Sequence, residues 1–237
     1  MATRTKPVRS VWARPRETDQ PALSRAGIVR EAIAMLDADG VDALSMRKLG
    51  ARLNAGATSL YRHVATKDEL MELAVDEVVA EITVPAAGGA GWRDAAAGTA
   101  RSFRATALRH PWVSSVLGQA GLAYLGPNLM SLSERLADLF TGAGFPDPSG
   151  AIDVVLSYVI GMSTTEAAWL TTVARSGQTE AEFIAALMPA AQEAAAGYEH
   201  LAESYAAPPP DPAELRDTKF ANGLEIVLDG LALRLAT

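Results

Sequence analysis

Cysteine is absent from the 237 residues, which excludes a disulfide framework, a thiol nucleophile and a thiolate metal site. Histidine is scarce: His63, His110 and His200 stand far apart, without the short spacings of metal ligands. No stretch reaches the roughly 18–20 consecutive apolar residues of a membrane span, so no membrane partner is expected. Arg4, Lys6 and Arg9 are not followed by an apolar segment, so a secretory leader is not expected and a cytoplasmic location is. A glycine-rich phosphate loop, a GxSxG elbow and an HExxH pattern are also missing. No catalytic residue, metal or cofactor is therefore expected, and Glu193, Glu199 and Glu203 read as a solvated face.

What is present is ordinary for a globular chain: 49% hydrophobic and 21% charged residues. At about 100–200 residues per domain, the length allows one large domain or two modest ones. A net charge of -7 argues superficially against a polyanionic partner, but the charge is segregated. Residues 1–67 hold 12 Lys/Arg against 6 Asp/Glu, and residues 68–237 hold 9 against 22. A basic head on an acidic body suits a protein that touches nucleic acid with its head alone. Charge by itself leaves a chance imbalance equally open.

Residues 1–22, with Pro7, Pro15, Pro21 and five basic residues, read as a disordered basic arm. Ser24 caps a first helix with the stripe Ala26, Val29, Ile33 and Leu36, ended by Gly40. A second helix starts at Ser45, with Met46, Leu49, Gly50 and Leu53 on one side. Asn54–Ala55–Gly56 makes a tight turn, and a short helix from Ala57 to Val64 buries Ala57, Leu60 and Val64. Thr66 caps a fourth helix whose apolar positions run to Ile82, and the stretch from Val84 to Gly91 reads as a junction. Further helices are expected near 92–109, 111–118, 127–142, 149–176, 179–196 and 213–236, with a short turn of helix around Tyr198–Tyr205. The expected fold class is all-α: an N-terminal helix-turn-helix domain at 23–83 and a larger helical domain at 92–237.

Packing the second helix against the third consumes their apolar positions. Ser45, Arg47, Lys48, Thr58, Ser59, Tyr61, Arg62 and His63 remain on or beside the outward face, with Lys67 at the next helix start. These residue types suit duplex DNA. Arginine bridges two acceptors on a guanine edge, hydroxyls reach phosphates or bases, and tyrosine meets a thymine methyl or a phosphate. An ammonium beside free backbone N–H groups at a helix start suits a phosphate. Two short packed helices also occur in many all-α proteins, so spacing alone leaves the matter even.

The motif Leu44–Ser45–Met46–Arg47–Lys48–Leu49–Gly50, then Thr58–Ser59–Leu60–Tyr61–Arg62–His63–Val64, then Lys67–Asp68–Glu69–Leu70, resembles the N-terminal domain of TetR-family transcriptional repressors over residues 24–82. Looser matches run in order through the remainder, which resembles the C-terminal domain class of the tetracycline repressor. They include Ser102–Phe103–Arg104, Arg109–His110–Pro111–Trp112, Leu125–Gly126–Pro127–Asn128, Ala143–Gly144–Phe145 and the stretch from Leu224 to Leu231. The resemblance implies a recognition helix at 57–64, with Thr58, Ser59, Tyr61 and Arg62 at the bases and adjacent phosphates. It implies Arg47 reaching the groove from the preceding helix, and Tyr61, His63 and Lys67 fixing the backbone register. Asn54 stands where the family usually has glycine, and asparagine tolerates the same conformation. The histidine that holds drug-bound magnesium in the tetracycline repressor would fall in Val116–Leu117–Gly118; this sequence has none there, so that ligand is not expected.

The resemblance also implies a homodimer paired through 149–176 and 213–236 on a double-stranded, palindromic operator. The last helix carries Phe220, Leu224, Val227, Leu228 and Leu231 at helical spacing. That stripe is either monomer core or dimer interface, and apolar residues on more than one face of the helix favour the dimer. Phe103, Trp112, Leu117, Met130, Leu156, Tyr158, Met162 and Trp169 are candidates for the lining of a small-molecule effector pocket, although each such residue alone is more often core. The expected function is a dimeric, ligand-responsive DNA-binding repressor. An all-α small-molecule enzyme and a helical protein-interaction module are the alternatives.

Overall fold

The computed structural model describes residues 23–86, 91–120, 126–206 and 210–235, and among these every regular element is helical. The basic arm at 1–22 and the middle of the junction at 87–90 lie outside the described residues. The head comprises α1 (Arg25–Asp39), a 3₁₀ turn (Val41–Ala43), α2 (Met46–Arg52), α3 (Ala57–Leu60) and α4 (Lys67–Val79). The body comprises α5 (Gly91–Arg109), α6 (Val113–Ala120), α7 (Pro127–Gly142), α8 (Pro148–Ser176), α9 (Glu180–Ala195), α10 (Glu199–Ala206) and α11 (Pro212–Leu235).

The helix starts follow local capping chemistry. Ser24 Oγ accepts from the Gly27 N–H at 3.1 Å, Ser45 Oγ from Lys48 at 3.2 Å and Thr66 Oγ1 from Glu69 at 3.0 Å. Each satisfies an N–H that a helix start leaves without a partner. Gly40, at φ +78°, closes α1 with its N–H on Leu36 O. Thr179 and Glu182 form a reciprocal capping box at α9.

The expected short helix at 57–64 is corrected in two respects, the first being that regular α-helix ends at Leu60. The chain then continues through one tighter turn, in which the His63 and Val64 N–H groups both donate to Leu60 O, at 2.9 and 3.0 Å. Burial of both Leu60 and Val64 pulls the backbone inward there. Ala57, expected to be buried, is only half-buried.

The body is centred on α8, which packs on α5, α6, α7 and α11, and α5 also meets α7. Trp92, Phe140 and Phe145 form an edge-to-face cluster at one end, with centroids 4.9 Å apart for Trp92–Phe145 and 5.2 Å for Phe140–Phe145. One contiguous core runs from Ile28 and Leu36 in the head, through α4, to Phe103, Leu136, Phe140 and Val159 in the body.

The α2–α3 turn depends on two backbone positions. Asn54, at φ +51°, is the one non-glycine residue with positive φ among those described. A Cβ on Gly50 would stand 2.6 Å from Ala55 O, so only glycine lets the chain fold back this closely. Asn54→Val is expected to destabilise the head by about 1–2 kcal/mol, while Asn54→Gly stays within about 1 kcal/mol of the parent. Urea unfolding followed by circular dichroism checks both.

Candidate DNA interface and effector cavities

Leu49, Leu60 and Val64 are buried in the core, and this fixes what α2 and α3 leave outside. Arg47, Lys48, Thr58, Ser59, Arg62 and Lys67 are exposed, and Tyr61 keeps 51% of its surface despite its large ring. His63 is half-buried. Ser45 is also half-buried, and its hydroxyl is engaged as the cap of α2, which makes it a structural support for Arg47 and Lys48. The predicted DNA-facing residues are thus brought together at α2, α3 and the start of α4.

Electrostatics sharpen that face. Glu69 pairs with Arg25 at 2.8 Å and Glu31 with Arg52 at 2.5 Å. Arg47, Lys48, Arg62 and Lys67 form no ion pair among the described residues, so their charge stays available to a polyanion.

Three cavities bear on a small-molecule site. The predicted lining residues do not form one pocket, and the structure separates them by packing. Phe103 and Leu156, with Leu136, Phe140 and Ile152, enclose a void of only about 10 Å³ between α5, α7 and α8. Trp112 lines a cleft of about 570 Å³ between head and body. Met130 is exposed on α7, while Leu117 and Met162 pack partly buried against the core. Tyr158 donates to Phe220 O at 2.8 Å and packs over Gly223. Trp169 packs on Phe183 and donates to Glu180.

A groove of about 590 Å³ lies between α5, α8 and α11, and no local pattern in the sequence points to it. Its apolar surface comes from Leu108, Leu170, Phe220 and Leu224. Its polar wall is an ion network. Arg104 grips both Glu166 oxygens at 2.7 Å, Arg216 donates to the same carboxylate at 3.1 Å, and Arg216 also pairs with Glu180. Two arginines that reach one buried glutamate from 62 residues before it and 50 after it leave no periodic signal in the sequence.

The dimer stripe also needs correction. Phe220, Leu224, Leu228 and Leu231 are buried inside the chain's own body and Val227 is partly so, because α11 turns this stripe toward α5 and α8. The apolar residues left outside are Ile226 and Leu233 on α11 and Val154 on α8. Antiparallel contacts from Tyr158 to Phe220 and from Glu166 to Arg216 set the register that brings Val154 level with Ile226.

Head and body are joined by polar contacts as well as by the core. Asp37 Oδ1 accepts from Trp112 Nε1 at 2.7 Å and faces His110 Nδ1 at 2.8 Å, while Glu81 meets Arg109 at 2.7 Å and His110 Nε2 at 3.3 Å. From sequence His110 reads as a packing or capping residue; here it stands between two head carboxylates. On the other side of α4, Asp76 binds the start of α7.

A helix-turn-helix head with an exposed cationic and hydroxyl face, set on a helical body, defines a DNA-binding transcriptional regulator. Residues 28–74 match the bacterial regulatory proteins of the tetR family, and residues 84–235 match the tetracyclin repressor-like C-terminal domain. The chain belongs to the TetR family. It is 41% identical over 164 residues to an HTH-type transcriptional regulator of Saccharopolyspora erythraea, covering 68% of this chain and 69% of that one. It is 33% identical over 231 residues to the HTH-type transcriptional repressor DrrR1 of Streptomyces coeruleorubidus, covering 94% and 82%. Among solved structures, ActR of Streptomyces coelicolor in complex with actinorhodin superposes with a TM-score of 0.73 at 30% identity, over 91% of this chain and 99% of ActR.

The Glu69 contacts generate a pH prediction. The Ala65 backbone N–H and then the Arg25 guanidinium hold its carboxyl below the ordinary value of 4.5. A carboxyl lowered in the folded state stabilises above its unfolded value and loses that contribution as the pH falls through the folded one. Head stability should therefore drop as the pH falls below 4.5, and Glu69→Gln should flatten that drop in thermal melts across the acidic range.

Proposed function

We propose that this chain works as a homodimeric repressor whose two heads grip successive major grooves of a palindromic operator and release it when a small amphipathic molecule binds the body. The observation that carries the reading is the outward set of Arg47, Thr58, Ser59, Tyr61 and Arg62, held in place by the burial of Leu49, Leu60 and Val64. In this reading Arg47 and Arg62 read base edges, because the side chains at Ala57 and Thr58 are short. Tyr61, His63 and Lys67 fix the phosphate register. The units are a basic arm at 1–22, the head at 23–83 and the body at 92–237.

A single head buries too little surface for a specific site, so two must act together, about 34–36 Å apart. We assign the dimer face to the exposed side of α8 and α11, where Val154 is 49% and Ile226 72% exposed. Water contact at such residues is relieved when a second copy covers them. Gly161 and Gly230 have open space at the Cβ position, which allows helices to approach closely.

We place the effector in the groove between α5, α8 and α11. Its volume, like that of the cleft at Trp112, falls within the roughly 300–1,000 Å³ of ligand pockets; the cleft is walled by Asp37, Asp39 and Asp42, whereas the groove sets Leu108, Leu170, Phe220 and Leu224 beside a few fixed charges. Apolar residues with a few fixed charges suit an amphipathic ligand. ActR holds actinorhodin, which supports a small-molecule effector for this chain as well. The route to the head is α5. Arg101, Arg104 and Leu108 line the groove, and the next two residues, Arg109 and His110, meet Glu81 and Asp37. A coupling of about 1–3 kcal/mol between the two sites is enough to empty an operator.

Arg47→Ala and Tyr61→Ala are expected to lose operator binding while remaining dimeric. Gel shifts on duplexes selected from a random pool check this, and unchanged binding by both variants would overturn the interface. Affinity for the parent protein should fall steeply with added salt, as displaced counterions require. Ile226→Arg should give monomers in sedimentation and lower operator affinity at least tenfold, since an unpaired charge would sit in the proposed seam.

A further inference from the structure

Asp76 lies on α4, in the row of residues that faces the body, and only 9% of its surface is exposed. Its carboxylate is fully engaged. Oδ1 accepts the Asn128 and Leu129 backbone N–H groups, both at 2.9 Å, and Oδ2 accepts Asn128 Nδ2 at 3.0 Å. The same Asn128 amide also donates to the Asp76 backbone oxygen at 3.2 Å. These are the first free N–H groups of the 16-residue α7, where a negative charge is further favoured by the helix dipole. A Cβ on Gly126 would overlap the Asp76 carboxylate, so the chain entering α7 is shaped around this one side chain. A helix of the body thus takes its cap from a helix of the head.

Capping normally uses the residue just before the helix. Here the cap comes from 52 residues away, and it ties α4 to α7 in direction as well as in distance. Apolar packing between the two helices tolerates sliding and rotation; three hydrogen bonds to one buried carboxylate and a fourth to its backbone oxygen do not. We propose that Asp76 is a positioning residue that fixes the angle of each head on its body, and through it the half-site spacing the dimer accepts. The proposal rests on the dimeric reading above. Each added base pair moves a half-site by about 3.4 Å and turns it by roughly 35°, so a head held at one angle rejects the change and a loosened head follows it.

The test uses the full chain and its selected operator, together with duplexes whose half-sites are moved apart or together by one and two base pairs. Binding is read by fluorescence anisotropy. Asp76→Asn keeps the size but turns an amide donor toward the Asn128 amide. Asn128→Ala removes only the side-chain bonds and leaves the carboxylate on the backbone N–H groups, so it remains informative if the first variant folds poorly. Wild type should bind one spacing best. The variants should lose about tenfold on that spacing and bind the shifted duplexes nearly as well as the parent spacing, Asp76→Asn more so than Asn128→Ala. Equal weakening on all duplexes with discrimination intact would mark a purely structural role and overturn the proposal. Variants that discriminate like wild type would overturn it as well. Wild type indifferent to spacing would instead overturn the dimeric reading, and the proposal with it.

Discussion

Helix α4 has to satisfy two cores at once, and the rest of the molecule is arranged around that demand. Leu70, Ala74, Val75, Val78 and Val79 are buried on a helix that meets α1 on one side and α6 and α7 on the other. A helix with a single apolar stripe would serve only the head and leave the body hanging from a linker. Because α4 is apolar on more than one side, the head is seated on the body. The one carboxylate within that surface, Asp76, is accommodated because the open end of α7 supplies the hydrogen bonds that its burial requires.

The polar contacts at this seam are of a different kind from those at the DNA face. Asp37, Glu81, Arg109, His110 and Trp112 exchange directed bonds between the two parts, and Arg104, Glu166, Arg216 and Glu180 do the same inside the body. Partly buried pairs of this sort add little net stability, since desolvation offsets their attraction. Their geometric demands, however, favour one arrangement of helices over its neighbours. On the outward face of α2 and α3 the arrangement is reversed. Its four cations stay unpaired and solvated among the described residues, which leaves their charge available to a polyanion.

Much of the fold was legible because its signals are local. Ser24, Ser45, Thr66 and Thr179 cap helices where a hydroxyl precedes an apolar repeat, and Asn54 takes the left-handed turn expected of it. The outward set on α2 and α3 was legible for the same reason: within one or two turns of helix, spacing decides which side chains are spent on packing. The surroundings of the body's bulky side chains, and what the α11 stripe packs against, were not legible. Phe220 and Leu224 have the same spacing whether they meet a partner or their own body, and Tyr158 and Trp169 look equally suited to a pocket and to the packing they make.

The residue order alone determined an all-helical chain with a capped helix-turn-helix near its start and a cationic, hydroxyl-bearing face upon it. Hydrogen bonds over three or four residues and periodic burial are encoded within short windows. Only the tertiary structure decided which way α11 turns its apolar stripe, where space remains between α5, α8 and α11, and that a carboxylate on α4 closes the start of α7. Those outcomes depend on the relative rotation of helices far apart in the chain, a quantity to which no local pattern corresponds.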